Sequence, residues 1–254
     1  CEAHEVLPFS TGVIGQPLPV EQLTAALPAA LDGLSEIGWS AAARAIMTTD
    51  TVPKLVSRRF EMDSQEATVT GMAKGSGMIC PDMATMLAYI ATDVAVENDV
   101  LQAILVQAVA ASFNSITVDG DTSTNDACVL LATGTLPAAR VTSVDSDAGW
   151  RLAQAVTEVC MDLASAIVRD GEGATKLVSV ELDEAATEAE ARQVAYTIAH
   201  SPLVKTALFA ADPNWGRILA AVGRAGVEGL DIADVRIWLG DTRIVSSGGR
   251  DPDY

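Results

Sequence analysis

The stretch "AKGSGMICPDMATMLAYIATD", residues 73–93, sets Lys74 in a glycine-rich turn and Thr85 at the head of an apolar run. Two readings of Thr85 compete. As a helix N-cap its hydroxyl accepts a backbone N–H, and as a core residue it simply packs. As a nucleophile it needs a base, because a free hydroxyl holds its proton too tightly to attack a carbonyl. The chain contains only His4 and His200, so a conventional serine–histidine triad is hard to assemble. A threonine at a chain N-terminus solves the problem with its own α-amine. That amine exists only if the Ala84–Thr85 bond is cut. Over so short a run, periodicity leaves residues 84–90 open between strand and helix.

Lys74 lies among Gly71, Gly75 and Gly77. The order GxxxxGK[ST] is absent, so this is not a P-loop. The lysine is either a solvent-facing turn residue of little core area or a holder of a carboxylate or phosphate. Working outward, residues 67–72 read as a strand entering the turn. "TTDTVPK" at 48–54 reads as a polar loop, and residues 20–34 and 39–47 as helices, the first preceded by Pro17 and Pro19. "VLPFSTGVIGQPLP" at 6–19 reads as a short strand running into a glycine turn, where Thr11 and Gly12 could aim a hydroxyl or N–H at an oxyanion. Taken alone, a Thr-Gly turn is a weak signal.

Downstream, residues 98–112 read as a helix with Leu101, Ile104, Leu105, Ala108 and Val109 inward, and "SITVDGD" at 115–121 as a strand. "DGDTSTND" at 119–126 is rich in oxygen ligands but lacks the EF-hand order, so it reads as a self-satisfied polar turn. The clearest helix spans 151–168, with Leu152, Val156, Cys160, Leu163 and Ile167 on one stripe. Asp170 and Gly171 stop it, and Glu172 follows as a loop carboxylate. A further helix covers 188–199. Trp215 reads as a core anchor, and Arg217 as pairing either a surface acid or a substrate carboxylate. Strands at 234–240 and 242–246 meet at Gly240-Asp241. Helices and strands mix without regular alternation. The fold class is α/β in the layered α+β sense, with neither a linker nor a repeat.

Composition narrows the function. Thirty-four acidic residues against sixteen basic ones give a formal charge of −18, which opposes nucleic acid. Four dispersed cysteines without a CxxC pair argue against zinc and against a disulfide framework. No metal site is expected. No basic leader precedes an apolar segment, and no apolar run is long enough to span a membrane. A cytoplasmic protein without membrane partners is expected. The abrupt ends at Cys1 and Tyr254 read as the edges of a fragment.

No single motif names an activity. Together, "STGVIG", "AIMTTDT.PK", "KGSGMI.P.MATML", "SFNSITVDGDTSTND", "VRDGEGATK", "SPLVKTA" and "NWGRI.AA.G" resemble, in the same order, the ornithine acetyltransferase family, the glutamate N-acetyltransferases of cyclic arginine biosynthesis. The resemblance runs from Phe9 to about Leu239. It implies an ornithine-acetyltransferase-like fold of mixed sheets covered by helices, related to self-processing aminopeptidases. It implies a precursor cut between Ala84 and Thr85, so that residues 1–84 end an α chain and 85–254 begin a β chain. Thr85 then carries the acetyl group, Thr11 and Gly12 stabilise the oxyanion, and Thr51, Lys74, Glu172 and Thr85 bind substrate. Between Thr49 and Thr51 in "TTDT", Thr51 is the residue assigned.

The implied reaction moves acetyl from N-acetylornithine to glutamate by a ping-pong scheme without a cofactor. Acetyl-CoA is a further donor that the family allows, though no CoA signature stands in the sequence. The implied assembly is a dimer of αβ units. Family members are longer, with an upstream asparagine- and glycine-rich segment and a C-terminal tail whose asparagine and threonine complete the pocket. The alternatives are a self-processing N-terminal-threonine amidohydrolase, in which water resolves the acyl ester, and a catalytically silent structural subunit.

Overall fold

The computed structural model describes residues 2–80, 86–123 and 125–254. It divides into two compact units, Cys1–Gly173 and Ala174–Tyr254. Ala84 and Thr85 lie outside the described residues, as does Thr124.

The first unit is built on a mixed four-stranded sheet of β1 (Lys54–Met62), β2 (Gln65–Lys74), β3 (Leu87–Thr92) and β4 (Ala127–Ala132), in that spatial order. β1 and β2 form a hairpin closed by the Met62–Gln65 pair. Its two turn residues, Asp63 and Ser64, both take positive φ (50° and 62°), the left-handed backbone region whose turn matches the right-handed twist of the paired strands. β3 runs antiparallel to β2 and parallel to β4. A parallel neighbour demands a crossover, and α3 (Asn98–Ala111) supplies it. Before the sheet come α1 (Val20–Asp32) and α2 (Trp39–Ala45), close to the spans expected.

The long helix α4 (Asp147–Arg169) covers β1 and β2 and packs beside α3. Ser146 caps it, accepting a hydrogen bond from the Gly149 N–H at 3.0 Å. The stripe read from the sequence, Leu152, Val156, Cys160, Leu163 and Ile167, is buried throughout. It joins Val69, Ile90, Val94 and Ile104 in one apolar core. Gly71 on β2 lets the helix sit this close, since a β-carbon there would stand 2.8 Å from Val159 Cγ1 and 3.0 Å from Leu163 Cδ1. Gly71→Ala should therefore overpack the core and cost about 1–3 kcal/mol. Urea unfolding that shows no fall in midpoint would contradict this packing.

Two expected strands are not strands. Residues 6–19 run as irregular chain up to α1. Pro8, Pro17 and Pro19 each lack a donor, so the segment cannot sustain a ladder. Residues 115–121 also form no strand, because their polar groups serve another loop. Val118 N–H and Thr117 Oγ1 donate to the Ile79 carbonyl at 2.8 and 3.0 Å, and Asp119 accepts from the N–H groups of Met78 and Ile79. Two strands of this unit were instead missed. β1 is hidden because Lys54 heads its less exposed row and Arg58 breaks it, and β4 follows a polar turn that masks its start.

The second unit carries α5 (Glu188–Ala199), α6 (Pro202–Phe209) and α7 (Trp215–Gly223), with an antiparallel sheet of β5 (Ile237–Leu239), β6 (Thr242–Ser246) and β7 (Gly249–Arg250). Thr187, Ser201 and Asn214 cap the three helices through side-chain oxygens. Gly240, at φ 56°, makes the expected β5–β6 turn. Trp215 packs, partly buried, beside Leu219, Ile244 and Val245. Arg217 donates to the Leu203 carbonyl and Thr206 Oγ1, both at 2.9 Å, tying α7 to α6. Among the described residues, no helix is long and apolar enough to cross a membrane.

Candidate active site

The end of β2 buries charge. Lys74 is 1% exposed, and its strand partner is Leu87, two residues after Thr85. This corrects the expectation of a turn lysine: residue 74 is the last of the strand, and the turn begins at Gly75. Burial pulls the ammonium below the usual lysine range, against the opposing influence of Asp50 and Asp126; nearby Lys54 lowers it further. Its contact among the described residues is Thr48 Oγ1 at 3.5 Å, a long bond for so buried a cation.

A second buried lysine stands beside it. Lys54, at the start of β1, is 2% exposed. Its Nζ donates to Asp50 Oδ1 at 2.5 Å, to Asp170 Oδ2 at 2.7 Å and to the Val52 carbonyl at 3.5 Å. Asp50 also accepts the Gly75 N–H at 2.8 Å and the Thr48 N–H at 3.1 Å. Burial alone would raise the Asp50 carboxyl, but these N–H groups and Lys54 hold it below the ordinary range. Asp170, just past α4, accepts the backbone N–H of Thr51 at 2.9 Å and its hydroxyl. Burial opposes its ionisation, yet Lys54 and Thr51 bring its pKa down to about 2.

The third strand of the site comes from the polar turn before β4. Asp126 accepts the Met86 N–H at 2.8 Å, fixing the residue that follows Thr85 in sequence. Burial raises its carboxyl, partly offset by that N–H and by Lys74. On the other side, Glu172 N–H donates to the Ser76 carbonyl at 2.8 Å. Its carboxylate carbon lies 2.6 Å from where a β-carbon on Gly77 would stand, so a side chain there would displace the Glu172 carboxylate. Ser76 Oγ and Thr49 Oγ1 share a hydrogen bond of 2.9 Å. Chemically, the arrangement could receive an anion beside a flanking carboxylate: it holds one buried ammonium with a single long hydrogen bond among the described residues, several hydroxyls and an exposed glutamate.

The model of the ArgJ family matches the whole length, residues 1–254. The chain belongs to the ArgJ family. It is 58% identical over 253 residues to the arginine biosynthesis bifunctional protein ArgJ of Pseudomonas fluorescens, covering 100% of this chain and 62% of that protein. The ArgJ protein of Methylococcus capsulatus is 59% identical over 254 residues, with 99% of this chain and 62% of the relative covered. The chain thus spans under two thirds of the length of these ArgJ relatives. A crystal structure of the Bacillus halodurans ArgJ protein superposes with a TM-score of 0.61 at 39% identity, over 65% of this chain and 76% of that one. The mixed sheet covered by helices is therefore the ArgJ fold.

Within this ArgJ chain, the structure brings Lys74, Thr51 and Glu172 into one neighbourhood through the loops that Asp50, Asp170 and Ser76 tie together. Thr51 spends its hydroxyl on Asp170, whereas Thr48 faces Lys74. Thr11 and Gly12 follow Phe9, whose ring packs edge-on against Tyr89 of β3 at 6.1 Å between centroids. No group of three or more His, Cys, Asp or Glu side chains among the described residues is placed to hold a metal ion. Thr48, Asp50, Lys54, Asp126 and Asp170 were not singled out from the sequence. A signal existed: the chain has only four lysines, and two flank the ArgJ "TTDT" and "KGSG" stretches.

Proposed function

We propose that the complete protein is a glutamate N-acetyltransferase of arginine biosynthesis that draws acetyl from N-acetylornithine. In this reading the precursor cuts itself between Ala84 and Thr85, and the pieces 1–84 and 85–254 stay together as an αβ unit that pairs with a second such unit. The freed Thr85 amine takes the hydroxyl proton as Oγ bonds to the acetyl carbonyl carbon. The C–N bond to ornithine then breaks, and the departing amine carries that proton away. Glutamate's amine attacks the acetyl-threonine ester, the C–O bond breaks, and N-acetylglutamate leaves. Thr11 and the Gly12 N–H serve as oxyanion donors, each worth about 3 kcal/mol in a dry site. Thr51, Lys74 and Glu172 bind the substrate, Lys74 taking its carboxylate and Glu172 its ammonium. Acetyl-CoA is a second donor compatible with the reading, and the cytoplasm is the compartment it implies.

The observation that carries the reading is the buried Lys74 ammonium on the strand opposite Leu87, in a chain that matches the ArgJ model throughout. Rapid-quench mass spectrometry with N-acetylornithine alone should find one acetyl mass on the peptide beginning at Thr85. Glutamate should discharge it faster than buffer does. Release of free acetate at one rate with and without glutamate would replace the transferase with an amidohydrolase. No cleavage and no adduct at all would leave a silent subunit.

A further inference from the structure

We propose that Lys54 is a positioning residue that occupies the Asp50 carboxylate and so leaves the Lys74 ammonium available to an anionic substrate group. The inference rests on the reading of Lys74 as a substrate anchor. Two lysines, each at most 2% exposed, share one carboxylate neighbourhood, and their bonding is unequal. All three Lys54 N–H donors have acceptors, in Asp50, Asp170 and the Val52 carbonyl. Lys74 has one long contact, to Thr48, among the described residues.

Asp50 decides the outcome. It attracts Lys74 electrostatically, yet its close ion pair is with Lys54 at 2.5 Å. Its other acceptor capacity goes to the N–H groups of Gly75 and Thr48. Were Lys54 uncharged, a buried carboxylate would face a buried ammonium with no competitor, and the two would pair. A substrate carboxylate would then have to displace Asp50 from Lys74. Asp170 anchors Lys54 from the far side, through a bond of 2.7 Å, and itself stays fixed by Thr51. Asp126, the remaining acid that acts on Lys74, is engaged with the Met86 N–H. The arrangement is a division of charge: Lys54 takes the protein's carboxylates, and Lys74 is kept for the ligand's.

The test is a double-variant comparison in the complete protein. Lys54→Met should raise the KM for N-acetylornithine on the order of tenfold or more, with a smaller change in kcat. Removing the competing carboxylate as well, in K54M/D50N, should return KM toward the wild-type value. A structural role would make the double variant as poor as K54M or worse, and that result overturns the proposal. A second readout needs no turnover. With lysine labelled at the ε-carbon and the Lys74 signal assigned by its loss in K74M, the Lys74 titration should move to higher pH in K54M and back in K54M/D50N. A Lys74 titration unmoved by K54M also overturns the proposal. If the titrations move as expected while the wild-type protein transfers no acetyl, the charge division stands and the transferase reading falls. Should K54M not fold, Lys54→Gln keeps a donor for both carboxylates without the charge and carries the same expectations.

Discussion

Thr85→Ala should leave the complete protein as one uncut chain and abolish acetyl transfer. In the proposed mechanism one side chain serves twice. Its hydroxyl must attack the Ala84 carbonyl, breaking the C–N bond to give an ester and a free amine; water then cleaves that ester, and the amine must activate the regenerated hydroxyl. Alanine offers neither the hydroxyl nor, without the cut, the free amine. Losing a covalent nucleophile costs on the order of 10⁴-fold or more in kcat. Denaturing electrophoresis and a glutamate-dependent acetyl assay read both effects. The fold itself should survive, because the core of α4, β2 and β3 is built from residues such as Val69, Ile90, Val156 and Leu163. A normally processed T85A protein would remove Thr85 from the mechanism.

Lys74→Met should lower kcat/KM for N-acetylornithine by about 30-fold or more, the effect of deleting one partner of a buried charge pair, typically about 2–5 kcal/mol. Its effect on stability should be small or favourable. An ammonium on a residue that is 1% exposed, whose hydrogen bond among the described residues is a long one to Thr48 at 3.5 Å, is desolvated with little return until a ligand arrives. Methionine fills similar space without that desolvation cost. The ligand-free melting temperature should thus stay level or rise, while stabilisation by added N-acetylornithine shrinks. A large fall in the melting temperature with unchanged kinetics would make Lys74 a structural residue instead.

The sequence disclosed the helices better than the sheet. α4 was readable because its stripe repeats over many turns, and every predicted member is buried. β1 was not: its burial alternates, but the less exposed row of Lys54, Val56, Phe60 and Met62 starts on a lysine and is broken by exposed Arg58, so the residue types hide the pattern. The false strand at 115–121 shows the same limit from the other side. Its composition suits a ladder, but whether Val118 meets a strand or the Ile79 carbonyl is decided by distant residues. The same holds for the site. Lys74 and Glu172 stood out as charged groups in glycine-rich loops. Asp50 and Asp170 did not, because a lone aspartate in a turn normally satisfies itself; here both converge on Lys54, Asp50 from 4 residues away and Asp170 from 116.

The order of the strands has a consequence for the life of the processed molecule. β1 and β2 precede the Ala84–Thr85 bond and β3 and β4 follow it, yet β2 and β3 are neighbours within one sheet. A nick there would cut the backbone without releasing either piece, because the ladder and the α4 core still join them. Before the nick, folding is a first-order event in a single chain. Afterwards the two pieces, once parted, must find each other again, and recovery depends on their concentration. The mature form would then be held by the height of its unfolding barrier rather than by a freely reversible equilibrium.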